Sequence, residues 1–192
     1  EIKSKTNCNK LYASKEVGWY EEEEEKLISK YFNLLLYDDQ NLIESDKLPY
    51  HINDLPLIFT HFRKKVEKEV DIRDLNIIDF SNKVKTNYSF KYKTKIKTAD
   101  INYNKNSCYP FEGGEKNGIK RLQNYLWGSH RVRTYKETRN GMVGTEYSSK
   151  LSAYLATGCL SPVTIYHEIK KYENEVVKNS STYWLIFEIL WR

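Results

Sequence analysis

Between residues 110 and 192, four segments in succession carry apolar residues at helical spacing between a start and a stop signal. Nothing else in the 192-residue sequence constrains the fold as strongly. Pro110-Phe111-Glu112-Gly113-Gly114 makes a turn, after which Ile119, Leu122 and Leu126 recur at three- and four-residue steps until Gly128. In SSKLSAYLATG, Ser148 is a candidate N-cap, Leu151 and Leu155 lie four apart, and Gly158 is a stop. Ser161-Pro162 opens a third helix with Ile165, Ile169 and Tyr172 inward, and STYWLIFEILWR begins a fourth that is almost wholly apolar. A helix with one apolar face needs neighbours to bury it against, so this succession predicts an all-helical domain.

The front of the chain reads differently. Glu21 to Glu25 precede KLISKYF, where Leu27, Ile28 and Tyr31 recur at helical spacing. Carboxylates in a first turn complement the positive end of the helix dipole, so a helix beginning near the glutamates is expected. NLLLYDDQNLIES predicts a short strand and turn. At Asn53-Asp54-Leu55-Pro56 a capping residue and an early proline introduce another helix, with Leu55, Ile58, Phe59, Phe62 and Val66 on one stripe and Arg63, Lys64, Lys65 and Lys68 opposite. The stretch NKVKTNYSFKYKTKIKTADINYNKN has little periodic apolar content, as a solvated linker would.

Charge is uneven along the chain. Residues 1–80 hold 12 basic and 17 acidic side chains, residues 81–105 hold 7 and 1, and residues 110–192 hold 12 and 8. The formal charge of +5 therefore conceals an acidic front and a basic remainder. A polyanion would favour the second half, although lysines solvating a linker account for the same numbers. Mean hydropathy is −0.72 and no run of roughly 18 apolar residues occurs, so no membrane-spanning helix is expected. No secretory signal pattern is present, and an intracellular protein of open compartment is expected. Cys8, Cys108 and Cys159 are odd in number and far apart, which points to reduced thiols. His51, His61, His130 and His167 show no ligand spacing, and no metal site is expected. The first residue is Glu1, and Arg192 closes an apolar run without a helix stop; both suggest a fragment.

There is no G-x-G-x-x-G, Walker A loop, G-x-S-x-G elbow or H-E-x-x-H pair. The segment RVRTYKETRNGMVGTEYSSKLS is more informative, because Arg131, Arg133, Lys136 and Arg139 precede a loop and a serine-rich helix start. Cations, hydroxyls and free helix N–H groups together suit a phosphate. Ser148, Ser149, Lys150 and Ser152 have the chemistry to hold a pyrophosphate, with Tyr135 as a flat or hydroxyl contact; an ordinary capped helix after a polar loop explains the same residues. Glu188 and Trp191, three apart, share a helical face in apolar surroundings. The glutamate either pairs with an arginine for packing or faces a pocket where an aromatic wall stacks a base and the carboxyl bonds its edge.

TYKETRNGMVGTEYSSKLSAYLATGCLSP followed by STYWLIFEILWR closely resembles the flavin domain of the DASH cryptochromes, within the cryptochrome and photolyase family. The resemblance rests on Y-K-E-T-R-N-G, Y-S-S-K-L-S, L-A-x-G-C-L-S-P and Y-W-L-I-F-E-x-L-W-R in that order and spacing. F-x-G-G-E and DLPLIFTHFRKKVE are similar to the start of that domain and to the last helix of the antenna domain before it. Together these cover most of residues 11–70 and 110–192.

The resemblance implies an α/β (Rossmann-like) antenna-domain remnant over residues 1–70, a basic low-complexity linker over 71–109, and the first helices of an all-α FAD-binding photolyase domain over 110–192. It also implies the family's light-dependent activity: reduced FAD donates an electron to a cyclobutane pyrimidine dimer in single-stranded DNA, and the cofactor carries the chemistry. Tyr135, Ser148, Ser149, Lys150, Leu151 and Ser152 resemble the FAD-contacting segment, and Arg192 the arginine near the flavin. Arg139 resembles a DNA-contacting arginine. Glu188 and Trp191 resemble the catalytic carboxylate and indole that meet the lesion. Glu16 is similar to the residue that holds a pterin antenna, methenyltetrahydrofolate. A monomer is expected. The alternatives are a blue-light receptor or nucleic-acid-binding flavoprotein without repair, and an inactive remnant.

The sequence departs from the family's pattern in three places. Ala153-Tyr154 stands where the branch has Pro-Trp, and YDDQNLIESDKLPYH lacks the usual W-G strand and turn. The front strands of the antenna sheet and the helices that complete the flavin cage have no counterpart in these residues. Half a cage buries little of a cofactor, so the segment alone is not expected to hold FAD or repair DNA.

Overall fold

The computed structural model describes residues 3, 6–75, 104 and 106–191. Most of the expected linker, and the Arg192 assignment, lie outside the described residues. The chain divides into two compact units, one containing residues 6–38 and the other residues 39–75 with 106–191.

The first unit is a single strand–helix–strand motif. Strand β1 (Lys10–Ser14) pairs in parallel with β2 (Asn33–Tyr37), in a register running from Lys10 opposite Asn33 to Ser14 opposite Tyr37. Parallel neighbours require a crossover, supplied by α1 (Trp19–Ser29). Glu21 and Glu22 occupy its first turn, as the acidic run predicts, and Gly18 stands at the N-cap without a side-chain hydrogen bond. None of its residues is buried. Strand β2 coincides with the expected NLLLY segment, whereas β1, over KLYAS, is a strand beyond those expected.

The second unit is helical. Its elements are α2 (Phe59–Glu69), α3 (Glu115–Gln123), α4 (Tyr135–Thr138), α5 (Ser152–Ala156), α6 (Pro162–Glu175) and α7 (Ser180–Leu190). A turn of π-helical hydrogen bonding over Asn124–Gly128 extends α3, and a 3₁₀ turn over Arg131–Thr134 leads into α4. One core joins Leu122, Leu126, Val132, Leu151, Leu160, Ile165, Ile169, Tyr172, Leu185 and Ile189, and Leu42 from the earlier segment enters it. The second compact unit thus begins at residue 39, whereas the resemblance implies an antenna-like segment extending to residue 70.

Local chemistry explains most of these elements. Ser161 accepts a hydrogen bond from the Val163 N–H at 3.2 Å ahead of Pro162, and Ile165, Ile169 and Tyr172 are fully buried, as their spacing predicts. Asn179 and Thr182 form a reciprocal capping box at the start of α7. Gly118 is required in α3 because a Cβ there would lie 2.9 Å from Leu160 Cγ and 3.1 Å from Tyr154 Cδ1. Ile119, expected on the inner stripe, is instead exposed.

Two helix starts differ from expectation. Helix α2 begins at Phe59, since Leu55 is held extended before Pro56 and Ile58, at the N-cap, is still extended. Leu55 and Ile58 are exposed, and Arg63, expected on the outer face, turns inward to Tyr183 and Phe187. Helix α5 begins at Ser152 with Leu151 at the N-cap and no side-chain cap, so Ser148 does not cap it.

Candidate functional site

The serine-rich loop is built from the inside by one buried cation. Arg121 on α3 is 4% exposed, and its guanidinium reaches four residues that lie 24 to 28 positions later. Nε donates to the Ser149 carbonyl at 3.0 Å, and Nη1 donates to the Glu146 carboxylate at 2.8 Å. Nη2 donates to the Thr145 and Ser148 carbonyls at 3.0 and 3.2 Å. Burial pushes the Glu146 carboxyl up, but the hydrogen bond and charge of Arg121, with the Thr145 and Ser129 hydroxyls, outweigh it and leave the group below its usual value. Thr138 Oγ1 donates to the Tyr147 carbonyl at 2.7 Å and ties the other end of the loop to α4.

Lys150 takes a left-handed backbone conformation, with φ of 60°, and its ammonium donates to the Tyr147 hydroxyl over that ring. The backbone N–H groups of Ser149, Lys150, Leu151 and Ser152 meet no backbone acceptor among the described residues. Hydroxyls, an ammonium and unengaged amides suit an anion, and on that donor set a dinucleotide phosphate fits. Helix α5 has only five residues, too short for its dipole to add much. Ser152 is exposed, while the Leu151 side chain is buried in the core.

The four cations upstream do not converge on this loop. Arg133 Nε donates to the Tyr172 hydroxyl at 2.8 Å. Lys136 lies over the Trp184 ring, 4.9 Å from its centroid. Arg139 forms an ion pair with Glu188, and its guanidinium carbon is 5.3 Å from the centroid of Trp184. Arg131 is exposed at the turn before α4.

A second cluster forms on α7. Glu188 accepts from Arg139 and from the Trp184 indole N–H at 3.2 Å, so its carboxylate sits between a guanidinium and an indole. Its side chain is about a quarter exposed. Trp184 stacks on Phe187 at 4.9 Å, Phe187 meets Phe59 edge-on at 5.2 Å, and Phe59 lies 3.8 Å from Trp191 between ring centroids. Trp191 itself is 59% exposed. A carboxylate beside a run of rings, with Arg63, Lys136 and Arg139 around those rings, offers hydrogen bonding, stacking and positive charge on one surface.

Tyr135 is 7% exposed and packs edge-on against Tyr125. Burial, followed by the charge of Glu188, pushes its hydroxyl up to about 12. In the first unit, Glu16 is half-buried; its N–H donates to the Glu25 carboxylate at 3.1 Å, beside an open hollow of about 350 Å³ that Lys15, Glu22 and Leu34 also line. Sequence reasoning missed Arg121 and Trp184. The charge of Arg121 within an otherwise apolar stripe was the available signal for the first; nothing local marks the second.

No protein-family profile matches the chain. In fold it is similar to the crystal structure of a cryptochrome from Synechocystis sp. PCC6803, with a TM-score of 0.81 and 38% identity over 100% of this chain and 41% of that one. A class III photolyase from Agrobacterium tumefaciens shares the fold at a TM-score of 0.70 and 18% identity, over 100% of this chain and 40% of its own. The architecture is therefore that of the cryptochrome and photolyase proteins. Relatives named cryptochrome DASH are 41% identical in Synechocystis sp. over 100% of this chain, and 44% identical in Danio rerio over 79% of it. The chain belongs to the cryptochrome and photolyase family, on its DASH branch. It spans 41% and 30% of the length of those two relatives. Among the described residues, no helix is long and apolar enough to cross a membrane.

Proposed function

We propose that this chain is part of a light-dependent FAD flavoprotein, a deoxyribodipyrimidine photo-lyase that repairs cyclobutane pyrimidine dimers in single-stranded DNA. The observation that carries the reading is the α7 cluster, where Glu188 is paired with Arg139 beside Trp184, with the exposed Trp191 farther along the same aromatic run. When bound, FAD supplies the light-driven electron exchange with the dimer. The chain's own residues bind and orient. Ser148, Ser149, Lys150 and Ser152 donate to the cofactor's phosphates, with Leu151 contributing backbone and Tyr135 a buried edge. Glu188 accepts from a base edge, Trp191 packs against the lesion, and Arg139 contributes positive charge toward the DNA. A monomer suffices for this chemistry. Glu16 and the hollow beside it are the corresponding place for methenyltetrahydrofolate.

The test is photorepair of a dimer-bearing single-stranded oligonucleotide by the intact protein and by Glu188→Gln. Gln keeps the size of the side chain and one acceptor oxygen but removes its charge and replaces the other oxygen with a donor. A fall of about tenfold or more in repair per absorbed photon, with FAD content unchanged, is expected. Unchanged repair would overturn the assignment of Glu188. A second reading, a blue-light receptor or nucleic-acid-binding flavoprotein without repair, draws on the same cluster, because Arg139 and Trp184 already occupy the Glu188 carboxylate without a base edge. Salt-sensitive binding of single-stranded DNA with no photorepair would select it.

A further inference from the structure

Arg121 belongs to neither cluster that the sequence pointed to, yet it makes more hydrogen bonds to the serine-rich loop than any residue of the loop makes to another. Its four contacts go to Thr145, Glu146, Ser148 and Ser149, and three of the acceptors are backbone carbonyls. In a planar trans peptide the carbonyl of one residue and the N–H of the next point in opposite directions. Carbonyls of Thr145, Ser148 and Ser149 drawn inward to the guanidinium therefore turn the N–H groups of Glu146, Ser149 and Lys150 outward. The backbone of Ser149 and Lys150 is left with donors facing away from the core and no backbone acceptor among the described residues.

The cation is itself fixed. It is 4% exposed, lies 4.6 Å from the Phe111 ring centroid and 5.1 Å from that of Tyr125, and is charge-balanced by Glu146. A planar guanidinium with donors in a fixed fork satisfies four acceptors at once; an ammonium in its place does not reproduce that geometry.

We propose that Arg121 is the positioning residue of the phosphate-binding loop. It acts from behind the loop, without touching the ligand, by holding the Ser149 and Lys150 amides outward as donors to the pyrophosphate of a dinucleotide. The proposal rests on the flavin reading of Ser148 to Ser152 and adds to it the part that orders those residues before the ligand arrives.

The experiment compares FAD with riboflavin, which carries the same ring system and no phosphate, by equilibrium dialysis on the intact protein, wild type and Arg121→Lys. Wild type is expected to prefer FAD, and Arg121→Lys to lose roughly tenfold of that preference with riboflavin affinity within about twofold. A variant that was merely loosened would lose both ligands together, which would overturn the positioning role. Retention of the full FAD preference by Arg121→Lys would overturn it too, while leaving the flavin reading intact. If wild type itself does not distinguish FAD from riboflavin, the flavin reading of the loop fails, and the proposal with it. Should Arg121→Lys not fold, Glu146→Gln decides the matter, since it weakens the ion pair and leaves the guanidinium in place. A loss of about two- to threefold in FAD preference supports the role, and no loss overturns it.

Discussion

The two units of this chain fold on opposite terms. In the helical unit, α6 buries Pro162, Val163, Ile165, Ile169, Tyr172 and Glu173, and the one carboxylate among them is partnered. Glu173 accepts from the Thr182 hydroxyl at 2.7 Å and pairs with Lys170 at 2.7 Å. In the strand–helix–strand unit, α1, of equal length to α7, has no fully buried residue, and its one described ion pair, Lys26 with Glu23, is exposed on both sides. An exposed pair of that kind contributes little. A two-stranded sheet with an unburied helix is marginal on its own. The difference teaches that secondary-structure signals and stabilising contacts are separate things: α1 has the acidic start that a helix prefers, and α6 has a core.

The comparison breaks most readily at α6. Ile169→Ala removes a fully buried side chain and is expected to cost roughly 2–5 kcal/mol, measured by denaturant unfolding followed by helical circular dichroism. A cost below about 1 kcal/mol would show that the helical unit is not held by this core.

A smaller loss, about 1 kcal/mol, is expected for Asn179→Ala. Its Oδ1 accepts from Ser181 and Thr182 N–H groups at 2.9 and 3.0 Å, and its own N–H is satisfied by Thr182 Oγ1 at 3.1 Å. Gly18 holds the corresponding place on α1 with no side-chain bond, so Gly18→Ala should not mirror that loss of a cap. Equal effects at the two positions would erase the distinction between a capped and an uncapped helix.

The helical unit should also respond to acid through Glu146. Its folded value lies below the usual 4.5, so the stability it contributes is complete above about pH 4.5 and is lost as the pH falls through the folded value. Glu146→Gln is expected to flatten that part of the pH–stability profile. An unchanged profile would mean that Arg121 does not hold the carboxylate in solution.

How much of this was legible in the sequence depended on distance along the chain. Ser161-Pro162 and the inward Ile165, Ile169 and Tyr172 were readable because a cap and a 3.6-residue period are local. Ser148 was misread as a cap because the loop it belongs to is organised by Arg121, 27 residues earlier, through backbone carbonyls that no motif marks. The same limit applies to the site on α7. Spacing singles out Glu188 and Trp191 and leaves both readings of the glutamate open; the structure supplies the arginine, Arg139, 49 positions away, and leaves the carboxylate about a quarter exposed. Start positions slipped where proline chemistry acts on its neighbour, as at Leu55, which Pro56 holds extended.

The smallest expected effect is the most informative about the first unit. Leu27 is one of the residues whose spacing predicted α1, and it is 54% exposed. A leucine that remains in water gains little transfer energy on folding, and alanine is at least as good a helix former. Leu27→Ala is therefore expected to change stability by less than about 0.5 kcal/mol, against the several expected at Ile169. The measurement is the same denaturant titration on the same intact protein. A cost above about 2 kcal/mol would mean that Leu27 is covered in solution, and the apolar spacing of α1 would then report a real interface in the way that the spacing of α6 does.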